Sequence, residues 1–168
     1  MRTNIYIGIS LGILLLSGCW KEPENAVIEY YITANQSEEY DLLSFNLLWT
    51  SADTKGANRS VYLDPIHLAF NTLPSSTPDT IYLGRSDIEP GIINAYSFWI
   101  TEGHSLWRGR YVKLQDKEYY ESNEAPAGFS IKEGEIKRVL FVVQVDSSII
   151  KLSDHPFKLL PKIKVVTE

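Results

Sequence analysis

The feature that most limits what this chain can fold into is a repeated alternation of apolar and polar residues. Over residues 136–145, Val139, Phe141, Val143 and Val145 take one face, and Ile136, Leu140 and Val142 the other. Over residues 92–101, Tyr96, Phe98 and Ile100 alternate with Ala95, Ser97, Trp99 and Thr101. A period of two is the side-chain period of a β-strand. No segment sustains the 3.6-residue apolar repeat of an amphipathic helix. The chain's 4 Trp, 10 Tyr and many Val and Ile agree with strands.

Further strands are expected over residues 26–33, 42–50, 61–70, 80–83, 106–114, 128–131 and 157–166. Pro65 cannot donate to a ladder, so 61–70 reads as an edge strand, a bulge or two short pieces. Pro161 interrupts the last strand. Residues 51–58, 71–79 and 116–127 read as polar loops, and 102–105 and 132–135 as turns. Pro90 and Gly91 fit the central pair of a type II turn, where Gly supplies φ > 0. Residues 146–152 fit a single helical turn or an irregular link. Seven to nine short strands with almost no helix predict an all-β, two-sheet sandwich, prealbumin-like or immunoglobulin-like. Residues 26–168 read as one such domain.

The N-terminal stretch has a different character. A basic start at Arg2 precedes an apolar run from Ile5 to Leu16. That run is shorter than the roughly 20 residues that span a bilayer, and has the length of a signal-peptide apolar segment. Leu16-Ser17-Gly18-Cys19 closes it and holds the only cysteine. The segment resembles the signal peptide and lipobox of a bacterial lipoprotein precursor. That resemblance implies removal of residues 1–18, lipid on Cys19, and attachment to a membrane through that lipid. Residues 19–25 then form a lipidated tether. Trp20, where Asp would favour the inner membrane, implies the outer membrane in preference. Lys21 and Glu22 fit a solvated spacer or a surface-export signal.

From Ser60 onward the chain is similar to a family of bacterial lipoprotein domains known only as a domain of unknown function. The matching residues are Val61-Tyr62-Leu63-Asp64, Ile81-Tyr82-Leu83, Ile88-Glu89-Pro90-Gly91, Gly134 before the strand that starts at Ile136, and Leu160-Pro161-Lys162-Ile163-Lys164-Val165-Val166. The resemblance implies a prealbumin-like sandwich and carries no catalytic residues.

Charge narrows the partners. The whole sequence has a net charge of −5, and loss of residues 1–18 removes only Arg2. A mildly acidic chain without clustered Lys and Arg argues against non-specific nucleic-acid binding. With Cys19 lipidated, no cysteine remains for a disulfide or a thiolate metal site. His67, His104 and His155 are far apart in sequence and share no metal-binding spacing. Gly-x-Ser-x-Gly and a Gly-rich phosphate loop are absent from the sequence. Asp116, Glu118, Glu121 and Glu124 could contribute oxygen ligands to Ca²⁺, but their spacing is not that of a calcium loop. No cofactor is expected.

The aromatic residues are the best site candidates. Trp99 and Trp107 flank the expected turn at 102–105 and could approach each other, with Tyr119 and Tyr120 in the following loop. Exposed Trp and Tyr stack on sugar rings or anchor protein partners; buried, the two Trp would fill the core or cover a sheet edge. The sequence thus leads to a lipid-anchored, non-catalytic envelope module that binds a protein or a glycan. The alternative is an accessory envelope enzyme or small-molecule-binding protein whose site the sequence does not display.

Overall fold

The computed structural model describes residues 24–54, 57–115, 120–122, 129–152 and 157–168. The lipobox residues Leu16, Ser17, Gly18 and Cys19, and Tyr119 and His155, lie outside them. The strands are β1 (Ala26–Ala34), β2 (Tyr40–Thr54), β3 (Ala57–Asn71), β4 (Ile81–Ile88), β5 (Gly91–Trp107), β6 (Arg110–Gln115), β7 (Tyr120–Ser122), β8 (Ser130–Ile131), β9 (Ile136–Val143), β10 (Ile149–Lys151), β11 (Phe157–Leu159) and β12 (Ile163–Thr167). One helical turn, α1 (Val145–Ser148), lies between β9 and β10. The count exceeds the expected seven to nine because the short β7 and β10 lie outside the expected strands and the last expected strand is divided into β11 and β12.

The strands form two sheets. One has the order β12-β9-β1-β4. The other has the order β10-β11-β6-β5-β2-β3, with β7 and β8 also paired to β5. Alternation places Ile28, Tyr30 and Ile32 of β1 and Val139, Phe141 and Val143 of β9 on the inner face of the first sheet. Leu43, Phe45 and Leu47 of β2 and Tyr96, Phe98 and Ile100 of β5 face them from the second. Phe141 sits where the sheets meet. Its ring centroid is 4.6 Å from that of Phe98, 5.3 Å from Tyr96 and 6.0 Å from Tyr30. The all-β sandwich expected from the alternation is the fold observed. β9, apolar on both faces, lies inside its sheet, between β12 and β1.

Several local expectations are corrected. Residues 51–54 and 57–58, expected in a loop, are strand: β2 continues to Thr54, β3 begins at Ala57, and Thr54 pairs with Ala57. Residues 102–105 are not a turn, because β5 runs through them to Trp107. The reversal comes at Arg108 (φ 48) and Gly109 (φ 72), between the paired Trp107 and Arg110. Two positive φ values in a two-residue hairpin loop are the mark of a type I′ turn. Gly91 has no positive φ; it opens β5 and pairs with Ile131, so Pro90-Gly91 is not a type II turn. β4, expected over 80–83, runs on to Ile88. Part of the expected loop at 116–127 is strand, since β7 pairs with β5.

What reads as a turn at Glu102-Gly103 is a bulge. Ser44 pairs with His104 and Asn46 with Thr101, so Glu102 and Gly103 together oppose Phe45. Glu102 takes φ 54. A Cβ on Gly103 would lie 2.9 Å from Leu159 Cδ2 and 3.2 Å from Leu114 Cβ. Glycine is required here because β6 and β11 side chains press against the backbone.

Pro65 and Pro161 lie where the ladder is interrupted. Leu47 pairs with Ile66 and Trp49 with Tyr62, which leaves Leu63, Asp64 and Pro65 opposite Leu48. Pro65 is thus in a bulge on β3, the strand at the end of its sheet order. Pro161 separates β11 from β12, which belong to different sheets; the expected single last strand is two. The chain also changes sheets between β9 and β10, through α1. The two crossings are bonded to each other. Gln144 N donates to Lys162 O at 2.8 Å, Leu160 N to Ser148 O at 2.8 Å, and Lys162 N to Ser148 Oγ at 2.8 Å. Asn35 Oδ1 accepts from Val145 N at 2.6 Å and satisfies the start of the helical turn.

Candidate functional site

The outer face of the four-stranded sheet is built by the same alternation that fills the core. In β1, Tyr30 points inward, so Glu29 and Tyr31 point outward. Tyr31 pairs with Leu140 of β9, and Leu140 with Val166 of β12. One row further along, Glu29 pairs with Arg85 of β4 and Arg138 of β9. Arg138 exchanges backbone hydrogen bonds with Glu168.

β4 completes the face through a bulge. Tyr30 pairs with Gly84 but Tyr31 pairs with Tyr82, so Leu83 is the extra residue. Without it, Leu83 would lie opposite Tyr31 on the solvent side. The bulge instead buries Leu83 and turns Tyr82 outward beside Tyr31. Gly84 at the kink has φ 146, a conformation costly for a residue with a Cβ. The Tyr31 and Tyr82 ring centroids are 5.3 Å apart at 55°. Tyr82 is 50% exposed.

Polar groups flank this pair. Glu29 Oε2 accepts from the Tyr31 hydroxyl at 3.2 Å and from Arg138 Nε at 3.3 Å. Partial desolvation, reinforced by the Glu29 charge, raises the Tyr31 phenol above its ordinary pKa, so it stays a donor. Among the described residues, the Tyr82 hydroxyl and the terminal nitrogens of Arg138 make no hydrogen bond. Tyr31, Thr80, Arg138, Leu140 and Glu168 line a groove of about 390 Å³. Such a face can stack a flat or ring-shaped ligand and offer it both donors and acceptors.

The two tryptophans singled out from sequence do not approach each other. Trp99 and Trp107 lie on one strand rather than across a turn; at about 3.3 Å per residue they are on the order of 25 Å apart. Trp99 is half-buried and pairs in register with Trp49. Trp107 packs on Phe157, ring centroids 5.2 Å apart, with Lys151 Nζ 4.7 Å and Arg108 Cζ 5.2 Å from its own ring. It covers the end of the core, which is the alternative the sequence left open. Tyr120 falls in β7, paired with Phe98, and not in a loop. Most of the acidic stretch considered for Ca²⁺ lies outside the described residues. Among those that are described, no group of three His, Cys, Asp or Glu is placed to hold a metal ion.

Two histidines have partners on the outer face of the larger sheet. His67 Nδ1 is 2.9 Å from Asn46 Oδ1, and Asn46 Nδ2 donates to Glu102 Oε2 at 2.7 Å. The His104 ring lies 5.5 Å from Tyr111. A second cleft, of about 380 Å³, is lined by Glu38, Glu39, Tyr40, Asp146, Ile149 and Lys151.

The sequence reading missed Tyr82 and Arg138 as site residues. Alternation in β1 already put Tyr31 on the face opposite Tyr30, which was the available signal. The bulge that brings Tyr82 beside it has no sequence signature beyond Gly84. No family model, curated protein or solved structure matches this chain.

Proposed function

We propose that the protein is a lipid-anchored, non-catalytic β-sandwich of the bacterial cell envelope that acts as a binding module. The observation that carries the reading is Leu16-Ser17-Gly18-Cys19 behind the apolar run from Ile5. Residues 1–18 are a lipoprotein signal peptide, and Cys19 receives the lipid. Each buried methylene contributes about 0.8 kcal/mol, and two acyl chains hold a protein stably on a bilayer where one does not. The outer membrane is favoured over the inner by Trp20. The binding role is supported by the outer face of the four-stranded sheet, where Tyr82 is half-exposed beside Tyr31. The tether of residues 19–25 leads directly into β1, the strand that carries Tyr31 and Glu29. The mild net negative charge argues for a protein or glycan partner over nucleic acid.

The test is incorporation of an alkyne-tagged fatty acid into the full chain and into Cys19→Ala in a bacterial host, with membrane fractionation. The expected result is label and membrane partition for the native chain only. Equal partition and unchanged mass for Cys19→Ala would reject the anchor.

A further inference from the structure

We infer that the outer face of the four-stranded sheet binds a neutral glycan, with the Tyr31–Tyr82 pair as its stacking platform and Arg138 and Glu29 as its flanking hydrogen-bonding groups. The inference rests on the reading of this protein as a binding module and not on its lipid anchor.

Three observations select this ligand class. The first is the ring pair. An aromatic face is the negative end of a quadrupole and attracts the weakly positive C–H groups on one side of a sugar ring. Tyr82 is 50% exposed, and the β4 bulge places it in the outer row beside Tyr31.

The second is the kind of polar group beside the rings. A sugar hydroxyl both donates and accepts. The face offers the free terminal nitrogens of Arg138 as donors, the Glu29 carboxylate as acceptor and the Tyr82 hydroxyl as either. Arg138 is already oriented by Glu29 at 3.3 Å, which lowers the ordering cost when a ligand arrives.

The third is the balance of charge. The row across the sheet reads Arg85, Glu29, Arg138, Glu168, alternating in sign and summing to zero. A polyanion or an anionic membrane surface is drawn by a patch of one sign, which this is not. The groove beside the ring pair, lined by Tyr31 and Arg138 but not by Tyr82 or Glu29, has a volume of about 390 Å³, within the small-ligand range of about 300–1,000 Å³. A protein partner would instead need about 800 Å² per side built around a desolvated apolar centre. Here the outer apolar row of Tyr82, Tyr31, Leu140 and Val166 is one residue deep and is bordered directly by a charged row.

The experiment uses the full chain in a detergent without a sugar headgroup. It is titrated with soluble oligomers of glucose, mannose, galactose and N-acetylglucosamine, and with polygalacturonate and heparin as anionic probes. At least one neutral oligomer is expected to bind, and neither anionic probe to compete through this face. Tyr82→Ala and Arg138→Gln each weaken binding by about tenfold or more, whereas Tyr82→Phe stays within about threefold of the native chain. Tyr111→Ala, on the other sheet, binds as the native chain does. Thermal midpoints check the fold of each variant, and Arg138→Gln decides the matter if Tyr82→Ala does not fold. Failure of every neutral oligomer to bind at millimolar concentration would overturn the inference. So would binding unchanged by Tyr82→Ala and Arg138→Gln, anionic probes binding here in their place, or a dimer in solution that Tyr82→Ala disperses. Capture of an envelope protein without glycan binding would remove this inference and leave the binding-module reading intact.

Discussion

Tyr30 and Tyr31 are adjacent in sequence and opposite in environment. Tyr31 faces solvent in the groove, while Tyr30 is in the core with its hydroxyl 2.9 Å from Ser86 Oγ. Burial pushes the Tyr30 phenol from 10.0 up to about 12, offset in part by the Ser86 bond. Burial pushes Tyr96 up as well. A raised folded-state pKa means that the neutral phenol is the form the core accepts. The contribution is therefore complete below about pH 10 and is lost as the pH rises toward 12. Alkaline titration followed by circular dichroism should show unfolding in that window, and Tyr30→Phe should move the transition to higher pH. At neutral pH Tyr30→Phe should cost about 1 kcal/mol, because it leaves Ser86 without its partner. Tyr96→Phe should be neutral or stabilising in urea denaturation, since the Tyr96 hydroxyl has no hydrogen-bond partner among the described residues.

At the scale of elements, glycines in bulges matter more than glycines in turns. Gly103→Ala forces a Cβ against Leu159 and Leu114. Overpacking of this kind costs about 1–3 kcal/mol, and a lowered denaturation midpoint with an unchanged slope would show it. Gly84→Val should cost a similar amount through backbone strain and displace Tyr82 from Tyr31. Strand alternation made β1, β5 and β9 and their inner faces legible in the sequence. Bulges are what concealed the rest. Glu102-Gly103-His104-Ser105 has turn composition, but its backbone stays paired to β2 and the reversal is deferred to Arg108-Gly109. That shift put Trp99 and Trp107 on one strand. The same kind of irregularity in β4 produced a site residue, Tyr82, where a regular strand would have offered Leu83. Pairing partners decide these outcomes, and they are distant in sequence.

At the scale of the whole molecule, two sheets share one core, and the chain passes repeatedly from one to the other. Phe141 touches aromatic rings from both sheets, so Phe141→Ala should cost about 3–5 kcal/mol in chemical denaturation. A cost under 1 kcal/mol would mean that the sheets do not depend on each other there. The inner faces hold the sandwich together and leave the outer face of the four-stranded sheet to carry the tyrosine pair. The measurement that tests this arrangement most directly is a side-by-side titration of Tyr82→Ala and Trp99→Ala against the neutral oligosaccharide that the native chain binds best. Loss of binding in Tyr82→Ala, with Trp99→Ala unaffected, is the predicted result. Loss in Trp99→Ala, with Tyr82→Ala unaffected, would place the site on the other sheet and contradict the account.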